Sequence, residues 1–424
     1  MTPPPPQLAC EPAGRARGAS SHPGAALFSL LPMRKGSAVK NFKKVTAIAA
    51  GLGVAATLIA MAPTAQAHTE EPAPAGTFVA VGSDTLESVV AALADGTHVT
   101  GAYVRSTANG TPFASFNATN ATGVVDNIVL KAGGPTLKRP NGSGNGVLAL
   151  SRSIDGAAYN GVTITGQVDI ARSSSAPAGN MIDNNAGELA YVPFARDALT
   201  YAYKGSDAKL ANLDDATLKL IYQCDATTLA ALKDGANDLI PVLPQNGSGS
   251  RKDFLKAIGL TEGQQGSCVR YGQEHDTRTI DKLPAGTGTE AFPANAITPI
   301  SAAQWVSQNT GAAEDRRGAG VKLGSPLAGV PAVNGTGATA EPNAAYYANN
   351  KWGRDTFLVA EYARVVPGVD GAKYDAKLAN LLGFTGSKLS SAQSVLPSQA
   401  GAVKKKFGFL APSSSDVQRV KKTA

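Results

Sequence analysis

The chain has 424 residues, a formal net charge of +7, three cysteines and four histidines. This length exceeds what a single hydrophobic core usually serves, so the sequence predicts two lobes. The positive charge does not indicate a nucleic-acid partner. Seven of the 39 basic residues precede His68, and no later segment interleaves aromatic with basic residues.

Residues 1–67 have the pattern of an export signal. A basic segment containing Lys40 and Lys43 precedes an apolar run over 45–62 and the small-residue sequence that ends at Ala67. This order is typical of a secretory signal peptide behind an over-extended N-terminus, and it predicts cleavage after Ala67. The alternative is an uncleaved membrane anchor, which the shortness of the apolar run disfavours. We therefore expect a secreted, extracellular protein with residues 68–76 as a flexible lead-in, no lipid anchor and no membrane insertion.

The numbers of cysteines and histidines limit the disulfide bonds and metal sites that the chain could form. Cys10 falls in the segment expected to be removed, so Cys224 and Cys268 remain as one pair. In an oxidising compartment such a pair predicts a disulfide. So few Cys and His side chains offer no metal cluster, and we expect neither a metal site nor a cofactor.

From residue 77 onward, short apolar strands alternate with helical patterns. In chain order the pattern predicts a strand over 77–81, a helix over 84–93, a strand over 125–130, a helix starting within 147–150, a strand over 167–171, two strand-like pieces within 189–203, a helix over 213–222, a strand over 239–243 and a strand-pair region over 356–366. This alternation favours an α/β fold with mostly parallel sheets. The Gly-, Ala-, Pro- and Asn-rich stretch 311–350 predicts long loops.

Four loops at the ends of predicted strands are built from Gly, Ser and Thr. They read "GSDT" from Gly82, "GSGNG" from Gly142, "SSS" from Ser173 and "GSGS" from Gly247, and three of them lead into helices. Ligands of open α/β sheets bind at the carboxyl ends of the strands. Hydroxyls and free backbone N–H groups that converge there could enclose an anion. Taken singly, each loop also fits an ordinary helix cap.

The order of these segments resembles a known family. The chain is similar over residues 77–410 to the PstS-like, phosphate-type substrate-binding proteins of ABC uptake systems, which have the type II periplasmic-binding fold. The resemblance is carried by "GSDTL", "NGSGNGV", "VDIARSSSAP", "LAYVPFARDALTYAY", "NLDDATLKLIYQC" and "PQNGSGSRKDFLKAIGL". It implies a two-lobed α/β protein, mostly parallel in its sheets, with a ligand cleft between the lobes.

The resemblance also implies ligand contacts from all four loops. These positions are Thr85, Leu86, Ser143, Gly144, Ser174, Ser175, Asn246, Ser248, Gly249 and Ser250. Two charged family positions are lost. The cleft aspartate that accepts a proton from hydrogen phosphate falls on Ser175, and the arginine before the fourth loop falls on Pro244. Arg172 and Arg251 are the candidates for a replacement cation.

Together these features predict a domain organisation and a function. Lobe 1 comprises residues 77–196 and 355–412, lobe 2 comprises 197–354, and 413–424 form a tail. We expect a non-enzymatic, extracellular solute-binding protein that captures a phosphate-like small anion for uptake or scavenging, possibly with an ABC permease as partner.

Two other functions remain open at this point. A released protein of this fold could serve sensing or cell-surface contact instead of import. A secreted phosphoesterase is the enzymatic alternative, but the sequence has no Gly-x-Ser-x-Gly elbow. Its best acid–base cluster is Glu274, His275 and Asp276 within "GQEHDTR", which is more typical of a polar loop.

Overall fold

The computed structural model describes residues 70–282 and 288–423. The expected signal segment, its cleavage site after Ala67 and the first residues of the lead-in lie outside the described residues. None of the helices in the described part combines the length and the apolar character that crossing a bilayer requires.

The strands and helices follow each other along the whole described chain. The strands are β1 Val79–Gly82, β2 Thr97–Val99, β3 Ala102–Val104, β4 Ala114–Ser115, β5 Asn127–Val129, β6 Thr136–Lys138, β7 Ala158–Tyr159, β8 Val162–Thr163, β9 Ile170–Ser173, β10 Leu189–Lys204, β11 Ile240–Pro244, β12 Arg270–Gly272, β13 Thr279–Asp281, β14 Thr289–Ala291, β15 Ala296–Ser301, β16 Lys322–Gly324, β17 Val333–Asn334, β18 Glu341–Pro342, β19 Gly353–Glu361 and β20 Gln418–Val420. The helices are α1 Glu87–Asp95, α2 Gly142–Asp155, α3 Asp207–Leu210, α4 Asp215–Tyr222, α5 Ala226–Ala231, α6 Gly249–Ala257, α7 Ala302–Asn309, α8 Ala344–Tyr347, α9 Tyr362–Val365, α10 Ala376–Leu381 and α11 Ala400–Lys406.

The main sheet has parallel wings on either side of an antiparallel centre. Its strand order is β12-β11-β15-β10-β19-β9-β1-β4, and β16 and β20 also pair with β10. β1 is parallel to β4 and β9, and β11 is parallel to β12 and β15. β10 and β19 are antiparallel to each other. The predicted α/β class and two-lobed periplasmic-binding fold are confirmed, with the antiparallel pair as the link between the wings.

β10 and β19 are the two strands that run from one wing to the other. The sequence predicted two strand-like pieces within 189–203, whereas the structure has one continuous strand of 16 residues, almost entirely buried. Its first half pairs with β20 and its second half with β15 and β16. The pairing of β10 with β19 extends from Leu189 opposite Glu361 to Ala198 opposite Gly353.

The hydrophobic clusters of the two wings include different parts of β10 and β19. Two clusters on the first wing draw their β10 and β19 members from residues up to Ala195 and from Phe357 onward. The large cluster on the second wing takes its β10 members from Ala198 onward and includes Trp352, just before β19. The lobe boundaries proposed from the sequence, at 196/197 and 354/355, stay a prediction, and this division of the cores is consistent with them.

Several elements differ from the sequence-based expectation. The 125–130 segment forms a hairpin, β5 with β6, outside the main sheet. The predicted strand-pair region over 356–366 was wrong, because β19 ends at Glu361 and the short helix α9 follows. Residues 418–420 of the expected tail pair with the start of β10.

The predicted disulfide is present. Cys224 and Cys268 are bonded, with a Cα–Cα distance of 5.9 Å. The bond joins the turn after α4 to the loop before β12. α4 begins where the carboxylate of Asp214 accepts a hydrogen bond from the Thr217 N–H (2.8 Å), an N-cap.

Candidate functional site

Three of the four Gly/Ser/Thr loops meet around the α-carbon of Gly249, at the start of α6. A β-carbon placed there would lie 2.5 Å from Ser174 Oγ, 2.6 Å from Ser143 Oγ and 2.9 Å from Ser175 Oγ. Ser143 Oγ and Ser174 Oγ are 3.0 Å apart, and Ser175 Oγ donates to the carbonyl of Gly249 (3.1 Å). Only glycine leaves room for three hydroxyls at this point.

The two helix-start loops also approach each other through their backbones. The N–H of Gly144 donates to the carbonyl of Gly247 (3.0 Å). Gly142 has a φ of +82°, and a β-carbon there would lie 2.5 Å from the same oxygen. Glycine is therefore required at Gly142 both for its left-handed backbone and for the close approach. Ser248 caps α6 by accepting a hydrogen bond from the Arg251 N–H (3.0 Å).

The first and fourth loops meet at the guanidinium of Arg354, in β19. Arg354 Nη2 donates to Ser250 Oγ (2.7 Å) and to Thr85 Oγ1 (3.3 Å), and these two hydroxyls lie 3.4 Å apart. Thr85 and Ser250 are fully buried. Hydroxyls from both halves of the sheet thus share one cation.

Arg354 is held in place from the neighbouring crossover strand. It lies directly opposite Asp197 in the β10–β19 register, and its Nε and Nη2 donate to Asp197 Oδ2 at 3.1 and 2.9 Å. Asp197 also accepts from Ser301 Oγ (2.7 Å) and from the Ala303 N–H (3.1 Å). Because Asp197 is saturated with donors, it fixes the position of the arginine at the link between the wings.

Asp253 provides a carboxylate next to Ser175, the position on which the family's cleft aspartate falls. Asp253 Oδ2 accepts from Ser175 Oγ (2.8 Å) and from Arg354 Nη1 (3.3 Å). Burial raises the pKa of Asp253, and the charge of Arg354 and the hydrogen bond from Ser175 only partly oppose that rise. The Asp and Arg lost from the sequence pattern are thus matched by a pair from α6 and β19.

A second group of acids lies behind Thr85. His275 Nε2 is 2.9 Å from Thr85 Oγ1 and 3.1 Å from Glu274 Oε1. Burial alone would raise the pKa of Glu274, but the charge and hydrogen bond of His275 lower it to about 2. Burial, together with repulsion from Glu274 and Glu87, raises the pKa of Asp84 well above its ordinary value. Glu274 is therefore ionised at neutral pH, and the neighbouring Asp84 keeps its proton to a higher pH than an ordinary aspartate does.

Some residues predicted for the site lie elsewhere. Arg172 is fully buried, and its guanidinium donates to Ser115 Oγ and to the backbone carbonyls of residues 80, 82, 83 and 116. Arg251 donates to Glu262 and to the carbonyl of Pro244. Leu86 belongs to the hydrophobic core, and Asn246 is exposed. The candidacy of Arg172 and Arg251 as the replacement cation stays a prediction. The Arg172 guanidinium is engaged by carbonyls that include those of Gly82 and Ser83 in the first loop, and the Arg251 guanidinium is engaged by Glu262 and Pro244.

The residues that the sequence analysis missed are Asp197, Asp253 and Arg354 as site members, together with Glu274 and His275, which it treated as a polar loop. One signal was available. Asp197 stands in an otherwise almost wholly buried strand, where a charge needs a partner. That partner, Arg354, lies 157 residues further along the chain, and only the strand register brings the two together. In residues 70–282 and 288–423, no group of three or more His, Cys, Asp or Glu side chains could hold a metal ion.

Comparison with known proteins places the chain in a broader group. A family model described as "PBP superfamily domain" matches residues 67–379. No curated protein matches the sequence. An ABC-type phosphate transport receptor from Vibrio cholerae is 15% identical, with 79% of this chain and 100% of that chain covered and a TM-score of 0.43. A phosphate-binding protein from Stenotrophomonas maltophilia is 13% identical, with 80% and 92% covered and a TM-score of 0.41.

Proposed function

The chain belongs to the PBP superfamily, a group of binding proteins and not of enzymes, and we propose that it captures a small phosphate-like anion between its two lobes. The observation that carries the proposal is the meeting of Thr85, Ser250 and Arg354. Hydroxyls from two separate loops and one guanidinium share a buried point at the link between the wings of the sheet. An oxyanion bound there would accept hydrogen bonds from all three groups.

The charges around this point support a protonated or singly charged oxyanion. Arg354 faces the carboxylates of Asp197, Asp253 and Glu274, so the site has no net positive charge to offer. Asp253 stands beside it as an acceptor, which favours an anion that still carries a proton. Hydrogen phosphate meets this requirement near neutral pH, whereas sulfate carries no proton. The family resemblance of the sequence also points to phosphate.

We propose uptake or scavenging as the role of this binding. The predicted export signal would place the protein outside the cytoplasm, where a solute receptor meets its ligand. An ABC permease is the partner that the family resemblance implies. Closure of the lobes around the anion would report occupancy to such a partner.

Isothermal titration calorimetry of the purified protein with phosphate, sulfate, nitrate and a neutral sugar tests this function. We expect saturable binding of phosphate at one site, weaker binding of sulfate and none of the sugar. Arg354→Lys keeps the charge but loses the planar fork, so it should weaken phosphate binding about tenfold or more. Arg317→Lys, a change at a surface ion pair with Asp315, is the matched control. No heat of binding with any anion would refute the proposal.

A further inference from the structure

A large groove lies between α2 and α6 beside the converging loops, and Arg354 is not among the residues that line it. Its volume is about 790 Å³, within the range of small-molecule sites. One wall contains Val147, Met181 and Tyr191, and the other contains Leu255 and Leu260 from α6 and the turn after it. Val420, in β20, closes one end. Most of the surface that these side chains present is apolar.

Two unpaired lysines stand on the wall formed by α6. Lys252 and Lys256 are one helical turn apart and both line the groove, with Leu255 on the same face. Both side chains are exposed, and neither ammonium group lies within ion-pairing distance of a carboxylate in the part of the chain that the structure describes. The other charged side chains of the lining add little net charge to the groove, because each has a partner of opposite charge. Arg251 is paired with Glu262, and Lys421 at the rim lies 3.7 Å from Asp183.

We infer that this groove is a second ligand site, which binds an amphipathic organic anion: an aliphatic chain carrying one carboxylate. The apolar walls would take the chain, because removing methylene groups from water is favourable. Lys252 and Lys256 would take the carboxylate at the open side. A small molecule fits better than a macromolecule, because the surface is concave and its size matches that of a single organic ligand.

This site is distinct from the proposed phosphate site, although the two are neighbours. The groove lining includes six positions at which the family resemblance implies ligand contacts: Ser143, Gly144, Ser175, Asn246, Ser248 and Gly249. Thr85, Ser250 and Arg354, which carry the proposed phosphate site, do not line it. Because the two sets of residues differ in Thr85, Ser250 and Arg354, phosphate at those three residues would leave the groove open to a second ligand.

Calorimetric titration with decanoate tests the inference, with butyrate and decanol as companion probes. We expect decanoate to bind one molecule per chain, and butyrate and decanol to bind at least tenfold more weakly, since one lacks the chain and the other the charge. Saturating phosphate should leave decanoate binding unchanged. The phosphate titration tests the proposed function by itself, so the result for one site does not depend on the result for the other.

Charge-reversal variants locate the binding. Lys252→Glu/Lys256→Glu should weaken decanoate binding about tenfold, the effect of about 1.4 kcal/mol over two exposed charge contacts. Lys377→Glu/Lys405→Glu makes the same change at two exposed lysines outside the groove and should have no effect. The inference is overturned if decanoate does not saturate, if both double variants behave alike, or if phosphate displaces decanoate. A dimer that forms through this groove and resists decanoate would assign the surface to a second copy and also overturn it.

Discussion

At the scale of single residues, the site depends on one missing side chain and one shared cation. Gly249 has no β-carbon, and so three serine hydroxyls from two other loops can surround it. Arg354 in turn joins Thr85 and Ser250 while Asp197 holds it from the opposite strand. Even conservative substitutions at Gly249 or Arg354 should therefore weaken anion binding.

Replacing Gly249 with alanine should lower both stability and phosphate affinity. Alanine is the better helix former, by about 1 kcal/mol, and would stabilise the start of α6 if the loops had room. Its β-carbon would instead lie within 2.9 Å of three hydroxyl oxygens, and such overpacking costs about 1–3 kcal/mol. Urea denaturation and calorimetry measure the two effects. Gly371→Ala, at a position with nothing within 4 Å, is the control, and an increase in stability for Gly249→Ala would contradict the account.

Replacing Asp253 with asparagine should reduce the preference for phosphate over sulfate. In the proposed site the carboxylate would accept a hydrogen bond from hydrogen phosphate and would repel an anion that has no proton, whereas an amide could donate to either. A hydrogen bond to a charged group is worth about 1.5–3 kcal/mol, so the ratio of the two affinities should fall at least tenfold. Competition calorimetry gives the ratio. Asp416→Asn, at an exposed carboxylate, should leave it unchanged; an unaltered ratio in Asp253→Asn would rule Asp253 out as the discriminating group.

At the scale of elements, the sequence predicted whether a segment is a helix or a strand better than it predicted which strands pair with each other. The strands predicted over 77–81, 167–171 and 239–243 are present at 79–82, 170–173 and 240–244. The helix predicted over 213–222 begins at Asp215, and the one expected to start within 147–150 begins earlier, at Gly142. Apolar periodicity and polar caps are local signals, and so they give the type of an element more closely than its ends. The joining of two pieces into β10, the end of β19 at Glu361 and the pairing of β20 depend on contacts between distant segments. The same limit explains the site. The serine loops could be found from the sequence, whereas the ion pair of Asp197 with Arg354 comes only from strand register.

Helix α11 offers a test of how burial affects charge. Lys404 is almost fully buried, donates to the carbonyl of Phe194 (2.6 Å) and lies 4.0 Å from its ring centroid. Burial lowers the pKa of Lys404 well below its ordinary value of 10.5. At a pH between the lowered pKa in the folded protein and the ordinary pKa in the unfolded chain, Lys404 is protonated only in the unfolded chain. The free energy of unfolding should therefore rise with pH in this range, by up to about 1.4 kcal/mol per pH unit.

Replacing Lys404 with methionine should remove this contribution. The free energy of unfolding of Lys404→Met, measured by urea denaturation from about pH 7 to about pH 10, should rise less with pH than that of the unaltered protein. Lys405→Met, at the exposed neighbour, should keep the original slope. Equal slopes in all three proteins would mean that Lys404 titrates normally.

At the scale of the whole molecule, two crossover strands connect the hydrophobic clusters of the two wings. The large cluster of the second wing includes residues of α4 and α6, and the disulfide of Cys224 and Cys268, 44 residues apart in sequence, closes a loop of this half. The hydrogen bonds that the cysteines donate are local: the Cys224 N–H donates to the Ile221 carbonyl and the Cys268 N–H to Cys224 Sγ. Stability of the second half and anion binding should therefore be separable.

Removing the disulfide should destabilise the protein without weakening anion binding. In Cys224→Ala/Cys268→Ala the free energy of unfolding should fall by about 2–4 kcal/mol, the usual effect of opening a loop of this size. Calorimetry under native conditions should give an unchanged phosphate affinity. The unaltered protein under reducing conditions should match the variant, and a loss of binding with full retention of stability would contradict the separation of the two.

The central claim is that phosphate binds where the two halves of the sheet meet, and a crystal structure of the protein grown with phosphate tests it most directly. The account predicts tetrahedral density within hydrogen-bonding distance of Thr85 Oγ1, Ser250 Oγ and the Arg354 guanidinium, with the Asp253 carboxyl group facing one phosphate oxygen. Density at another place, or none at a saturating phosphate concentration, would contradict it.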